Sequence, residues 1–448
     1  MKSNLSRISL ILAHGGDRAL SELRSALALT ERLSASELLA DQLHHLTRWL
    51  PVVARAVPYQ RSHLAKVLAR GEALRWGDFR ELPLLTRGDL QRLGAALECP
   101  APPRQFRAVS STTTSGSTGR PLTTKGSFAG GLLALAFQLR LVAWHGLDPN
   151  ETTAFITTPT PPGTADPPEG AVSPRPWAES LGRGRGITLT LRADVPTQLD
   201  WLQRKAPSYL ATYPSNLLAL LKLSEARGVT LPSLRAVTLS SEPVSDVLRA
   251  ECQRLWGARL IATYSANETG MLALDAPDED GYYVQSENVL LEVLRDDGEP
   301  CEPGEIGRVV VTTLQDVLRP LVRYEIGDFA EVAEPSTAGR PFPKLRRVVG
   351  RERTLVRLPD GRRVWPFFEF SPLVALAVVD QWQLVQKRDG TLEVRLVTKR
   401  PLTESEEAEV RAVVLEALPG LSVGVTRVDA VARTARGKYL ELVSELDN

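Results

Sequence analysis

Cysteine is scarce in this chain. Three of 448 residues, Cys99, Cys252 and Cys301, stand far apart with no CxxC pair and no metal-ligand spacing. That excludes a disulfide framework and fits a reducing compartment. Histidine is nearly as rare: His14, His44, His45, His63 and His145 all fall in the first third, and no GxSxG motif occurs, so a Ser-His-Asp hydrolase lacks its parts. His44-His45 reads as part of a helix face. Net charge is almost absent, with 54 basic residues against 53 acidic, which leaves no electrostatic footprint for nucleic acid or an anionic membrane. Long apolar runs are missing too. The stretch from Phe128 to Trp144 is broken by Gly130, Gly131, Gln138 and Arg140, short of the ~20 residues a membrane span needs. Near the start, the run from Ile8 to Ala13 meets Asp17, Arg18, Glu22 and Arg24 without a cleavage-like stretch. The expectation is a soluble, cytoplasmic protein.

Lysine is the last scarcity: nine against 45 arginines. The bias reads as base composition of the source genome, and it makes each remaining lysine more conspicuous, because an ammonium on a flexible stem is not interchangeable with a guanidinium.

The length exceeds the roughly 250–300 residues at which one core stops growing, so two or three domains are expected. Residues 17–70 read as helices punctuated by Pro51 and Pro58, and 81–93 as an extended entry into a helix that Thr86 caps. The segment 157–176 holds seven prolines, which excludes helix and central strand and leaves a long loop. From about 186 to 330, β-branched stretches such as ITLTL, RAVTLS, LIATYS and RVVVTT alternate with helical ones, the pattern of an α/β core. Beyond about 350 the pattern changes to a hairpin at Asp360-Gly361, a second at Asp389-Gly390, a charged helix near 402–418, a short strand and a basic tail. The fold class is α/β: a large N-terminal domain of mixed sheets and helices over 1–347, a hinge at 348–353, and a small mobile α+β domain over 354–448.

The most unusual composition is SSTTTSGSTGRP at 110–121. Hydroxyl residues alternate with Gly116 and Gly119, giving a loop whose backbone N–H groups can turn toward an anion. It lacks the GxxxxGK[ST] spacing of a phosphate loop, and alone it would also pass for a flexible Ser/Thr linker. The motifs that follow, in order, are LPLLTRGDL, TSGSTGRP, TYPSNLLAL (212–220), SSEPVSD (240–246), TYSANETG (263–270), RPLVRYEIGD (319–328), VVGRERT (348–354) and RTARGK (433–438). Together they resemble the adenylate-forming superfamily, specifically its phenylacetate–CoA ligase-like branch, over residues 80 to 440.

The resemblance implies an AMP-forming ligase. It would activate a carboxylic acid with ATP and Mg²⁺ and then pass the acyl group to an acceptor, CoA first. An amine, a hydroxyl, or a carrier or protein thiol is the alternative acceptor, and a lapsed nucleotide-binding homologue the alternative of another class. By the same resemblance, Lys438 would bridge the carboxylate and the α-phosphate. Thr114, Ser115, Gly116, Ser117, Thr118 and Gly119 would hold the phosphates. Ser241, Glu242, Pro243, Tyr264, Asp328 and Arg351 would surround adenine and ribose, with Tyr264 packed on the ring and Asp328 accepting from both ribose hydroxyls. Glu268 would help to hold Mg²⁺, a hard cation that prefers oxygen. Thr158, Tyr213, Ser240 and Ala266 would line the acid pocket, and Arg353 would be the hinge. Read singly, Glu268 is a helix-start carboxylate, Asp328 a turn aspartate and Tyr264 a core aromatic. The chain departs from the family pattern at Arg353, at Asn267, at Ser240-Ser241 in place of paired glycines, and in the threonines and prolines of 157–176, which point away from phenylacetate itself. Partners would be the small acid and possible carrier or amine acceptors. No oligomeric state follows, and a dimer is compatible with the sequence.

Overall fold

The structure, a computed structural model, describes residues 3–69, 71, 73–114, 122–157, 171–173, 184–351, 356–360, 363–364, 379–431 and 442–446. It divides into two compact units, the larger ending at Val348 and the smaller beginning at Val349.

The larger unit opens with helices. Ser34 and Glu37 form a capping box that starts the helix Ala35–Ala56. Leu38, Leu46, Trp49, Leu50 and Val53 lie buried along one face, and this continuous apolar stripe carries the helix through Pro51 rather than ending there, as the sequence predicts. Tertiary packing of that face outweighs one missing N–H. Pro58 does act as expected, in the first turn of Pro58–His63. His45 is a core histidine whose Nε2 meets Leu314 O at 2.8 Å.

A twelve-stranded sheet forms the centre. In spatial order its strands are Val289–Leu294, Ile306–Thr313, Tyr324–Val332, Lys344–Arg351, Tyr282–Val284, Gly270–Asp275, Arg259–Ala266, Ala236–Leu239, Tyr209–Thr212, Thr153–Thr157, Gly186–Thr190 and Ala171–Ser173. The strands from Arg259–Ala266 to Gly186–Thr190 pair parallel, with helices Val195–Lys205, Pro214–Arg227 and Asp246–Trp256 between them in sequence. Arg259–Ala266 then pairs antiparallel with Gly270–Asp275. The predicted stretches ITLTL (187–191), RAVTLS (235–240), LIATYS (260–265) and RVVVTT (308–313) fall on the strands Gly186–Thr190, Ala236–Leu239, Arg259–Ala266 and Ile306–Thr313. Within 157–176, Ala171–Ser173 is a strand at the outer edge of the sheet, the place where a proline-rich neighbourhood is tolerated.

The parallel half has its own chain order. Counted from the outside, its second strand comes first, then its first, third, fourth and fifth. The direction of winding therefore reverses between Thr153–Thr157 and Tyr209–Thr212, and ligands of open α/β sheets bind outside the carboxyl ends at such a reversal.

In the smaller unit, Val379–Gln386 pairs antiparallel with Leu392–Thr398 through the turn at Asp389-Gly390, as predicted. Val423–Arg427 and Leu442–Ser444 flank them in parallel. The helix Glu404–Ala417 is capped by Thr403 and Glu406. Val356–Arg357 pairs with Arg363–Val364. The buried Gln386 side chain both accepts from Arg357 N at 2.9 Å and donates to Arg357 O at 2.8 Å, so one amide takes the place of a neighbouring strand.

Candidate active site

The carboxyl ends of three adjacent parallel strands carry predicted residues. Thr212, Leu239 and Ala262 are in register across the sheet, so Tyr213, Ser240 and the segment from Thr263 onward leave on the same edge. Tyr213 stands at the N-cap of the helix Pro214–Arg227, where its side chain makes no capping bond. Glu242 supplies that bond from the neighbouring turn: it accepts from Ser215 N at 2.9 Å and Ser215 Oγ at 3.2 Å. A carboxylate there also meets the positive end of the helix dipole. Glu242 thus ties two strand ends together. Ser241, just before it, has φ +72°, a left-handed conformation that glycine takes without strain. A serine here holds a backbone geometry that suits glycine.

Two bulges aim the next pair. The register of Arg259–Ala266 against Gly270–Asp275 shifts between Tyr264 and Ser265. In Tyr324–Val332, Glu325 faces Val310 while Phe329 faces Arg308, so Ile326, Gly327 and Asp328 together oppose Val309. Gly327 takes φ +84° inside that bulge. Bulges re-aim side chains, and here the Tyr264 hydroxyl meets Asp328 Oδ2 at 2.8 Å. Tyr264 is buried in the main core, as the single-residue reading has it. Asp328 belongs to a strand bulge, not a plain turn.

Glu268 lies in the short connection between strands ending at Ala266 and starting at Gly270, so it does not begin a helix. Its side chain is 4% exposed and pairs with Arg87 Nη1 at 3.2 Å across 181 residues of sequence. Asn288 steadies the connection by donating to Thr269 O at 2.9 Å and Met271 O at 2.7 Å. Asn288 itself belongs to a buried polar turn in which Gln285 and Glu287 receive the Arg140 guanidinium.

Arg87 was not among the sequence-predicted site residues, although its motif was. The structure supplies the reason it arrives at Glu268. Buried Arg323 pairs with Glu292 and donates to the carbonyls of Arg80 and Leu82. Leu85 bridges to Tyr324, donating to Arg323 O and accepting from Glu325 N. The capping box of Thr86 and Asp89 then starts the helix Arg87–Leu93. The entry segment is thereby fastened to the strand that carries Asp328.

Among the described residues, no group of three or more His, Cys, Asp or Glu side chains could hold a metal ion, and no helix is long and apolar enough to cross a membrane. Thr114 ends a strand, Ala108–Thr114, paired with Leu122–Ser127, so the glycine-hydroxyl segment joins two antiparallel strands. Arg351 ends the strand Lys344–Arg351. Ser115, Gly116, Ser117, Thr118, Gly119, Thr158, Arg353 and Lys438 lie outside the described residues, as do the Arg351 and Thr114 side chains.

Residues 180–315 match the family model of AMP-binding enzymes. That span contains the strand edge with Tyr213, Ser240–Pro243, Tyr264 and Glu268. Among curated relatives, the chain is 28% identical to the phenylacetate–coenzyme A ligase of Thermus thermophilus over 204 residues, 44% of this chain and 46% of that one. It is 27% identical to the phenylacetate–coenzyme A ligase of Escherichia coli over 199 residues, 43% and 45% of the two chains. The aligned region thus spans somewhat under half the length of these relatives. The fold is similar to that of a 2-hydroxyisobutyryl-CoA ligase solved with an acyl-adenylate, with a TM-score of 0.75 at 18% identity, covering 93% of this chain and 92% of that one.

Proposed function

We propose that this protein uses ATP to convert a carboxylic acid to an acyl-adenylate with release of pyrophosphate, and then passes the acyl group to CoA. The observation that carries the reading is the Tyr264–Asp328 bond, whose tyrosine lies within the matched AMP-binding segment. An aspartate with two coplanar acceptor oxygens suits a ribose diol, and the phenol fixes which way it faces. The relatives carry CoA ligase names and a neighbour of similar fold holds an acyl-adenylate, which supports acid activation and CoA as the thiol.

In this reading Ser241–Pro243 and Tyr264 border the adenine. Thr114 and Ser115–Gly119 bind the phosphates, and Tyr213, Ser240, Ala266 and Thr158 border the acid. Lys438 neutralises charge that develops between the acid oxygen and the α-phosphate, a kind of stabilisation worth roughly 10²–10³ in rate. Arg351 reaches the nucleotide from the hinge at 348–353, and Arg353 is the hinge residue about which the smaller domain turns between the half-reactions. Magnesium fits the donors at hand: Glu268 offers a buried carboxylate, and the hydroxyl of Thr269, next in the chain, is buried with no hydrogen-bond partner among the described residues. One carboxylate plus substrate phosphates is an ordinary Mg²⁺ set, and the ion would supply charge neutralisation at those phosphates. The threonines and prolines of 157–176 support an acid other than phenylacetate.

The test is nucleotide product analysis with a panel of aryl and aliphatic acids, hydroxylamine as a trap, with and without CoA. AMP, pyrophosphate and an acid-dependent hydroxamate are expected, with an acyl-CoA mass when CoA is added. Lys438→Ala should lower AMP formation roughly 10²–10³-fold. ADP as product, or full activity in that variant, would sink the reading. Acyl transfer to an amine or a carrier thiol in place of CoA would reassign the acceptor alone.

A further inference from the structure

The Arg87–Glu268 contact has no part in the reading above and constrains it. Glu268 is a carboxylate with almost no access to water, and burying such a charge without a partner is costly. Its ionic partner among the described residues is Arg87, 16% exposed, on a segment fastened by Leu85, Thr86 and Asp89. Glu268 is followed in the same short connection by Thr269, whose hydroxyl is buried and has no hydrogen-bond partner among the described residues.

We propose that Arg87 is the resident counter-ion of Glu268, and that a divalent cation binding this carboxylate does so against the guanidinium. The inference rests on the proposed metal role of Glu268. A guanidinium and a dication on one carboxylate repel each other, strongly where water does not screen them. Each therefore lowers the affinity of the other by the same factor. The guanidinium holds the connection and its buried charge in place while no metal is bound. Its long side chain lets it withdraw when the cation arrives, without moving the backbone that Leu85 and Tyr324 fix. Metal binding without nucleotide is consequently weak, and the site takes its cation together with the phosphates.

The experiment measures Mn²⁺ alone, by loss of the free-ion electron paramagnetic resonance signal, on the full chain without nucleotide. Arg87→Gln should tighten Mn²⁺ binding roughly tenfold or more, and Arg87→Lys should fall between it and the parent. The double variant Arg87→Gln/Glu268→Gln should lose the gain. Far-UV circular dichroism and the unfolding midpoint of each variant establish that it is folded, and Arg87→Lys provides the comparison should Arg87→Gln not fold. Unchanged or weaker Mn²⁺ binding in Arg87→Gln would overturn the proposal, as would a gain that survives in the double variant. The outcome is independent of turnover. A protein that shows the metal effect but forms no AMP sinks the functional reading and leaves the pair standing. One that forms AMP but shows no metal effect does the reverse.

Discussion

Tyr264 and Asp328, 64 residues apart, meet in a hydrogen bond of 2.8 Å between the phenol and Oδ2. Each stands at a bulge in its own strand, and the two strands are not neighbours in the sheet. Two local irregularities in the sheet are therefore joined by one side-chain contact.

Tyr264→Phe removes the bond and keeps the ring. A hydrogen bond to a charged group contributes about 1.5–3 kcal/mol. Because Asp328 is half-buried and regains water, the stability loss should be nearer 1 kcal/mol, read from a urea midpoint. ATP binding should weaken roughly tenfold, by calorimetry. Unchanged ATP affinity would show that the phenol does not aim the carboxylate.

Ser241→Gly relieves the left-handed backbone at φ +72°. The strain of such a residue is about 1–2 kcal/mol, offset in part by the greater freedom of glycine in the unfolded chain. A gain of about 0.5–1 kcal/mol is expected, and Ser241→Val should lose more than that. A destabilised glycine variant would mean that the serine hydroxyl matters more than the backbone.

Glu242→Gln tests the tie between turn and helix. The amide can accept one of the two Ser215 bonds but brings no charge to the helix start. The expected cost is about 1 kcal/mol, with faster amide exchange in the first turn of Pro214–Arg227. If exchange there does not change, the helix start is held by other groups.

The acid limb of the stability curve should carry the mark of His145. Burial, helped by the nearby Arg259 and Arg249 guanidinium groups and opposed by the Asp275 carbonyl, holds this ring down at about 4. Its Nε2 meets Asp275 O at 3.1 Å, and its Nδ1 is buried with no partner among the described residues. The folded state therefore keeps the ring neutral while the unfolded chain protonates it near 6.5. The stability this ring provides is complete above about 6.5 and is lost as pH falls from there toward 4, by at most about 1.4 kcal/mol per pH unit. His145→Gln should flatten this part of the curve in denaturant titrations between pH 4 and 7. His45, also lowered chiefly by burial, should leave a residual slope of the same sign.

Local signals in the sequence carried far. Thr86 caps its helix as expected, and Asp389-Gly390 turns its hairpin. These depend on neighbours three or four residues away. The motifs could be placed on the fold, because Tyr213 and Ser240 follow strand ends, and Tyr264 lies in a strand, that the β-branched stretches announce. What could not be read were contacts between distant segments. The Arg87–Glu268 pair spans 181 residues, and nothing near LPLLTRGDL distinguishes Arg87 from a surface arginine. The bulge at Ile326–Asp328 depends on the partner strand, so Asp328 looked like a turn residue. Pro51 misled because its own chemistry ends helices, whereas the packing of the surrounding face decides.

The first helices are completed by the far end of the large unit. Gln42 donates to Ser286 O and Val289 O, His45 meets Leu314 O, Gln60 donates to Pro320 O, and Ser9 donates to Gln315 Oε1. On a ribosome, these polar side chains emerge long before their partners exist. At about 5–20 residues per second the interval is roughly 12–50 s, during which the apolar faces of Asn4–His14 and Ala35–Ala56 have no sheet to cover them. The beginning of this protein must wait for its middle. These helices therefore wait uncovered on the nascent chain, and a chain truncated before Gln285 would leave them exposed for good.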